Sequence, residues 1–279
     1  MTIPPFFTVR GGARRGEVLV TRAKPFEAAH AYRDPAFGRA TRVHGHNYVV
    51  TATIGGPIDP STELLADFRD LDGLLADLTA PLDHHRIDVE YAPLAGREAS
   101  AEALAATLFA ELAPAIGRGI PAARLVRLRL AETDGLWSDT DGGDDVELTR
   151  AYGFSAAHRL ADPDRSADEN ARLYGKCARP EPHGHDYRFE VTVRGPLDPR
   201  TSTVTDLGAL DGAVEELVMS AFDHRYLNVE VEPFTRVIPT AERIAERIWQ
   251  LLAPRIRGLA RVVVYETPRS AFTYEGPAA

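Results

Sequence analysis

The chain has 279 residues, which is long for one small domain and comfortable for two of ordinary size, each with its own core. A formal net charge of −9 argues against a nucleic-acid groove, and no apolar run is long enough to span a bilayer, so neither nucleic acid nor membrane is an expected partner. The single cysteine excludes an internal disulfide framework. With no signal-peptide pattern after Met1, the expected compartment is a reducing cytoplasm.

Taken in chain order, "HGHNYVVTATIGG" (44–56) has the period of two and the β-branched and aromatic content of a strand, ending at a Gly-Pro turn. Helical periodicity follows in "TELLADFRDLDGLLADLTA" (62–80) and "SAEALAATLFAELAPAI" (100–116), the second with Ser100 at the N-cap position. A strand returns with "ARLVRLRLAET" (123–133). After the acidic "SDTDGGDD" (138–145), which has turn chemistry and no hydrophobic period, the same series starts again. Its members are "HGHDYRFEVTVRG" (183–195), "LGALDGAVEELVMSAF" (207–222), "TAERIAERIWQLLAP" (240–254, N-cap Thr240) and "LARVVVYET" (259–267).

The series is an internal repeat with an offset of about 139 residues. His44-Gly45-His46 returns as His183-Gly184-His185, Gly56-Pro57-Ile58-Asp59-Pro60 as Gly195-Pro196-Leu197-Asp198-Pro199, Asp67 as Asp206, and Leu82-Asp83-His84 as Phe222-Asp223-His224. Two domains are therefore expected, 1–140 and 146–279, each of the α+β class with order ββααββ: an antiparallel sheet carrying two helices on one face. Small open sheets must pair or cover their edges, so assembly into closed barrels by oligomerisation is expected.

Eight of the nine histidines fall in repeated positions: His30, His44, His46 and His84 in the first copy, His158, His183, His185 and His224 in the second. Histidines two apart on a strand project from one face, and the upstream Ala-Ala-His of a neighbouring strand can add a third imidazole. Three neutral imidazoles without a fourth protein ligand are the arrangement of a catalytic zinc with an open position. The glycine between the two histidines leaves room on the opposite face.

The ordered motifs "FSAAHRL", "YGKCARPEPHGHDY", "VTVRGPLDP", "FDHRYLN", "IPTAERIA", "VYET" and "TYEG" closely resemble the 6-pyruvoyl-tetrahydropterin synthase family, which includes 6-carboxytetrahydropterin synthases. The resemblance spans nearly all of 147–277 and, more loosely, 16–140. It implies a tunnelling fold, with zinc and pterin held at subunit interfaces, and zinc ligation by His158, His183 and His185 and by His30, His44 and His46. It implies proton transfer by Cys177 with Asp223 and His224, and pterin anchoring by Glu266, with Glu132 its counterpart and Thr240 a capping residue that neighbours the pterin. Single-domain members assemble as two rings of three units, so a trimer of two-domain chains or a multiple of it is implied.

The implied reaction is loss of triphosphate from 7,8-dihydroneopterin triphosphate to give 6-pyruvoyl-tetrahydropterin. The residue types suit it. A carboxylate accepts two adjacent ring donors, a cation on the side-chain hydroxyls acidifies the neighbouring C–H, and a thiolate whose pKa is depressed by zinc or a basic neighbour removes the proton. Arg172, Lys176 and Arg179 flank Cys177 and are candidates for the triphosphate. The alternatives are the carboxy-forming branch of the deazapurine (queuosine) pathway and a non-catalytic zinc- and pterin-binding module; the long Cys177-to-His183 spacing resembles the pyruvoyl type. The first copy departs from the pattern, with Ala40 aligned where the cysteine belongs.

Overall fold

The computed structural model describes residues 13–277. The chain forms two compact units, one of residues up to Thr149 together with Arg194–Thr205, the other of Arg150–Val193 with Asp206 onward.

In the first unit, β1 (Val18–His30), β2 (His44–Gly56), α1 (Phe68–Thr79), β3 (His85–Arg86), α2 (Ile87–Glu90), α3 (Ala101–Gly119), β4 (Arg124–Thr133) and β5 (Leu136–Thr140) follow in order. The sheet order is β5-β4-β2-β1-β3. β1 and β2 pair antiparallel in a register that sets His30 opposite His44 and Phe26 opposite Tyr48. The inward residues Tyr48, Val50 and Ile54 of β2 meet Leu71 and Leu75 of α1 and Leu104 and Leu108 of α3 in one buried cluster. Each such side chain contributes about 1.5–3 kcal/mol on leaving water.

The second unit takes most of β6 (Asp145–His158), then α4 (Ala167–Tyr174), most of β7 (His183–Pro196), α5 (Leu207–Val214), α6 (Ser220–Phe222), β8 (Arg225–Tyr226), α7 (Leu227–Glu230), α8 (Ala241–Leu252), β9 (Leu259–Thr267) and β10 (Ser270–Tyr274). α5 runs into α6 through a π-helical turn, Glu215–Met219. The sheet order is β10-β9-β7-β6, with β8 on β6. The Phe154–Tyr187 stack, at 5.0 Å between ring centroids, repeats the Phe26–Tyr48 stack, also at 5.0 Å. Among the described residues no helix is long and apolar enough to cross a membrane.

Two expectations are corrected. The helix expected from residue 62 begins at Phe68, because Asp59 binds Ser61 N and Oγ in a tight turn and Asp67 caps the helix through Arg69 N at 2.8 Å. The "SDTDGGDD" border is only partly a turn. Ser138, Asp139 and Thr140 are buried in β5, where Asp139 accepts from Arg127 Nε (2.8 Å) and Arg129 Nη2 (2.8 Å). Burial alone would push this carboxyl up, but the two guanidiniums prevail and hold it at about 2.

Candidate functional site

The end of β6 and the head of β7 bring His158, His183 and His185 together. The burial pattern of β6 alternates, so that Phe154, Ala156 and His158 share the inward face, while on β7 His183 and His185 precede the buried Tyr187 at two-residue steps. His158 and His183 meet Nε2 to Nε2 at 3.1 Å, and the His158–His185 and His183–His185 ring centroids are 5.2 and 5.1 Å apart. The first unit repeats the group: His30–His44 at 4.5 Å, His30–His46 at 5.3 Å and His44–His46 at 5.1 Å. In each triad one ligand atom per residue lies within 4.8 Å of the others.

The surroundings aim these rings. His158 Nδ1 is bonded to Pro239 O and His30 Nδ1 to Ala99 O, both at 2.9 Å, while His44 Nδ1 meets Arg42 O at 2.7 Å. A ring that donates Nδ1–H to a carbonyl turns the lone pair of Nε2 inward. Burial pushes both His30 and His158 down to about 4, so each is a neutral ligand at neutral pH. The Nε2 atoms of His30, His46 and His185 are buried without a hydrogen bond. Two lone pairs facing at 3.1 Å beside buried nitrogens that bond to nothing fit a divalent cation held by three imidazoles with a position left for substrate. The glycine between the paired histidines has a backbone reason: a Cβ at Gly184 or Gly45 would meet Ala156 O or Ala28 O at 3.1 Å.

Glu266, at the end of β9, reaches the same triad, with Oε1 3.4 Å from His158 Nε2 and 3.6 Å from His185 Nε2. Glu132 on β4 does so in the first unit, 3.4 Å from His46 Nε2. Cys177 comes from the loop between β6 and β7, which the sequence ties down. Ser166 and Glu169 form a capping box on α4, buried Asn170 binds Asp162 N and three carbonyls, and Leu160 N donates to Cys177 O at 2.9 Å. Burial, then the charge of Glu266, pushes the Cys177 thiol up. Arg172, Lys176 and Arg179 are all solvent-exposed and none is a cause of this shift, so the basic neighbours do not lower the thiol.

The first unit has a different loop in this place. Residues 35–41 form a 3-10 turn capped by Asp34, Tyr32 stacks on Phe37 at 4.1 Å, and Ala40 gives its carbonyl to Tyr32 N. No thiol is present.

Asp223 and His224 are not joined to this cluster by any hydrogen bond or ion pair among the described residues. His224 Nδ1 lies 2.9 Å from Asp223 Oδ2, the imidazole is 82% exposed, and Asp223 accepts Ser155 N at 2.9 Å. His224 borders a cleft of about 480 Å³ lined also by Ser155, Gly184, Asp186 and His185 of the triad. His84 borders a matching cleft of about 560 Å³ with Glu27, Asn47 and His46. His224 and His84 both adopt left-handed backbone, φ 56° and 61°, each N–H donating at 2.6 Å to a strand carbonyl, Ser155 O and Glu27 O. Such strain in non-glycine residues marks positions held by their surroundings; nothing in the sequence signalled it. Thr240 caps α8 through Arg243 N, and Pro239 beside it holds His158.

The profile of the 6-pyruvoyl tetrahydropterin synthase family matches residues 19–142 and again residues 147–277. The 6-pyruvoyl tetrahydrobiopterin synthase of Drosophila melanogaster is 42% identical over 135 residues, 47% of this chain and 79% of that protein. The Homo sapiens protein of the same name is 39% identical over 143 residues, 49% of this chain and 98% of its own. Among solved structures, the Caenorhabditis elegans 6-pyruvoyl tetrahydropterin synthase is 35% identical and aligns with a TM-score of 0.46, covering 48% of this chain and 96% of that one.

Proposed function

Since the chain belongs to the 6-pyruvoyl tetrahydropterin synthase family, twice over along its length, we propose that it is a zinc-dependent lyase. In this reading it converts 7,8-dihydroneopterin triphosphate into 6-pyruvoyl-tetrahydropterin with loss of triphosphate, and the chemistry resides in the second unit. The observation that carries this reading is the second unit's convergence of three imidazoles and a carboxylate, in the unit whose β6–β7 loop bears the chain's one thiol. The same two-repeat organisation supports domains at 1–140 and 146–279.

His158, His183 and His185 would hold the zinc, which supplies Lewis acidity toward the side-chain hydroxyls and favours the thiolate. Glu266 accepts the paired ring donors and orients the heterocycle, with Thr240 beside it. Cys177 takes the proton from the side-chain carbon and returns it to the ring. The elimination is balanced internally: triphosphate leaves with the bonding pair, the ring gains two hydrogens and the side-chain carbinols become carbonyls, so no outside oxidant is needed. Arg172, Lys176 and Arg179 are exposed on the Cys177 loop and suit the triphosphate. Asp223 holds the His224 tautomer and aims its exposed imidazole outward. It therefore serves a substrate held against a neighbouring subunit, where the site is completed.

Assembly follows from the same surfaces. Among the described residues the outer edge of β1 is paired at Ala28 and Ala29, by β3, and the rest of that 13-residue strand is offered to another chain. A trimer of chains or a multiple of it is the proposed state, in the cytoplasm, where an unpaired thiol is at home. Mass spectrometry of the product from 7,8-dihydroneopterin triphosphate tests the activity: 6-pyruvoyl-tetrahydropterin with released triphosphate is expected. The 6-carboxy product would move the protein to that branch, and unchanged substrate would leave a binding module.

A further inference from the structure

The turn that follows β2 is built again after β7, and only one of the two is covered. In the first, Asp59 N binds Leu64 O at 2.8 Å, Glu63 N binds Asp59 O at 2.8 Å, and Glu63 has φ 59°. In the second, Asp198 N binds Thr203 O at 2.9 Å, Ser202 N binds Asp198 O at 2.7 Å, and Ser202 has φ 55°. The second turn lies within the first compact unit, seated on the N-terminus of α3. Ser202 O accepts from Ser100 Oγ at 2.5 Å, Val204 N donates to Glu102 Oε1 at 3.2 Å, and Leu197 packs against the apolar cluster under the sheet. Ser202, Ser100 and Glu102 are thereby buried, and Asp34 gains an ion pair with Arg200.

The first turn has the same shape and none of the cover. Ile58, which corresponds to Leu197, is 48% exposed, Leu64 is 51% exposed, and Glu63 is exposed. The matching receptor is bare too. Thr240 and Glu242 correspond to Ser100 and Glu102, yet Glu242 is exposed and Val237, just ahead of α8, is 37% exposed. One molecule thus displays a plug without its socket and a socket without its plug, and one seated pair that shows how they fit.

We propose that residues 58–65 of one chain dock on the N-terminus of α8 in a second copy of this chain. Ile58 enters as Leu197 does, Glu63 O accepts from Thr240 Oγ1, and Leu65 N donates to Glu242. Plug and socket are different surfaces, so the contact is head-to-tail, the kind that builds a ring when its rotation closes. Because Pro239 carries the bond to His158, the docked segment from the second copy forms a wall beside the second unit's metal triad. The inference deepens the oligomeric reading above by naming the segment and its seat.

Sedimentation velocity at micromolar concentration, with circular dichroism as the folding check, compares the wild type with Ile58→Asp and Glu242→Arg. Both variants are expected to stay folded and to shift from the ring to the single chain, with at least a tenfold weaker association. A wild-type oligomer that both variants leave intact would overturn the docking and keep the oligomer, so the two readings fail separately. A photo-crosslinking residue at position 63, in a mixture of isotopically heavy and light chains, gives the second readout. Heavy-to-light links into 237–243 are expected; links elsewhere, or only within one chain, would overturn the proposal. Should Ile58→Asp fail to fold, Glu242→Arg and the crosslink still decide.

Discussion

The two units hold the same three imidazoles in nearly the same arrangement, and differ in the loop beside them. In the second unit residues 159–182 carry α4, a bonded Asn170 and Cys177; in the first, residues 31–43 carry a short 3-10 turn, the Tyr32–Phe37 stack and Ala40. The imidazoles lie at the head of strands whose inward residues beyond the motif are buried, so packing fixes them whatever the loop does. The thiol lies on a loop, which can be rebuilt without cost to the core. In the proposed reading metal binding and acid-base chemistry are therefore separable, since the first unit has the imidazole triad without the thiol.

The sharpest way to break this comparison is to remove the thiol from the unit that has it. Cys177→Ala should lower turnover of 7,8-dihydroneopterin triphosphate by about 10²–10⁴-fold, the usual contribution of a positioned proton-transfer group. Metal content should be unchanged. Wild-type turnover in that variant would move catalysis to the first unit or to another base. Next in size is the metal itself: elemental analysis should find about two zinc ions per chain, as expected of two closed triads. His44→Ala and His183→Ala should each leave about one. A wild type with a single zinc would end the two-site comparison.

The shared part of the comparison was legible in the sequence because it rests on strand periodicity. His44 and His46, or His183 and His185, are two apart and must share a face, and the repeat supplied the partner from the preceding strand. The helices at 101–119 and 241–252 were legible from apolar spacing and the Ser100 and Thr240 caps. What escaped depends on contacts between distant residues. Asp139 reads as a turn residue until Arg127 and Arg129, two apart on β4, are seen to need a shared anion. Asp223 is tied to Ser155 N and His224 N to Ser155 O, contacts between distant residues that no motif announces. Nor does periodicity show that Arg194–Thr205, from the second repeat, belongs to the first compact unit.

A third measurement asks whether the first unit, without its thiol, still takes a pterin. Glu132 lies 3.4 Å from His46 Nε2 as Glu266 lies 3.6 Å from His185 Nε2, so the carboxylate proposed to orient the ring is present in both units. Calorimetric titration of Cys177→Ala with a stable pterin should give two sites per chain, and Glu132→Ala or Glu266→Ala should each abolish one. Loss with Glu266→Ala alone would reduce the first unit to a structural role.

The smallest expected effect tests how alike the two triads are without metal. Burial lowers His30 and His158 to about 4 in the folded chain, against an ordinary value near 6.5. Between those values the unfolded chain binds more protons, so stability is full above about pH 6.5 and falls as the pH drops toward about 4. The slope is at most about 1.4 kcal/mol per pH unit for each histidine, and the total over the window no more than about 3.5 kcal/mol each. Thermal unfolding of chelator-treated protein across this window should show the decline, and His30→Gln and His158→Gln should each remove a similar part of it. Because both rings are fully buried and donate to a carbonyl at the same 2.9 Å, unequal effects would mean that the triads differ in solution where their geometry agrees. Zinc should restore stability in proportion to its binding, since a ligand that prefers the folded state adds to it.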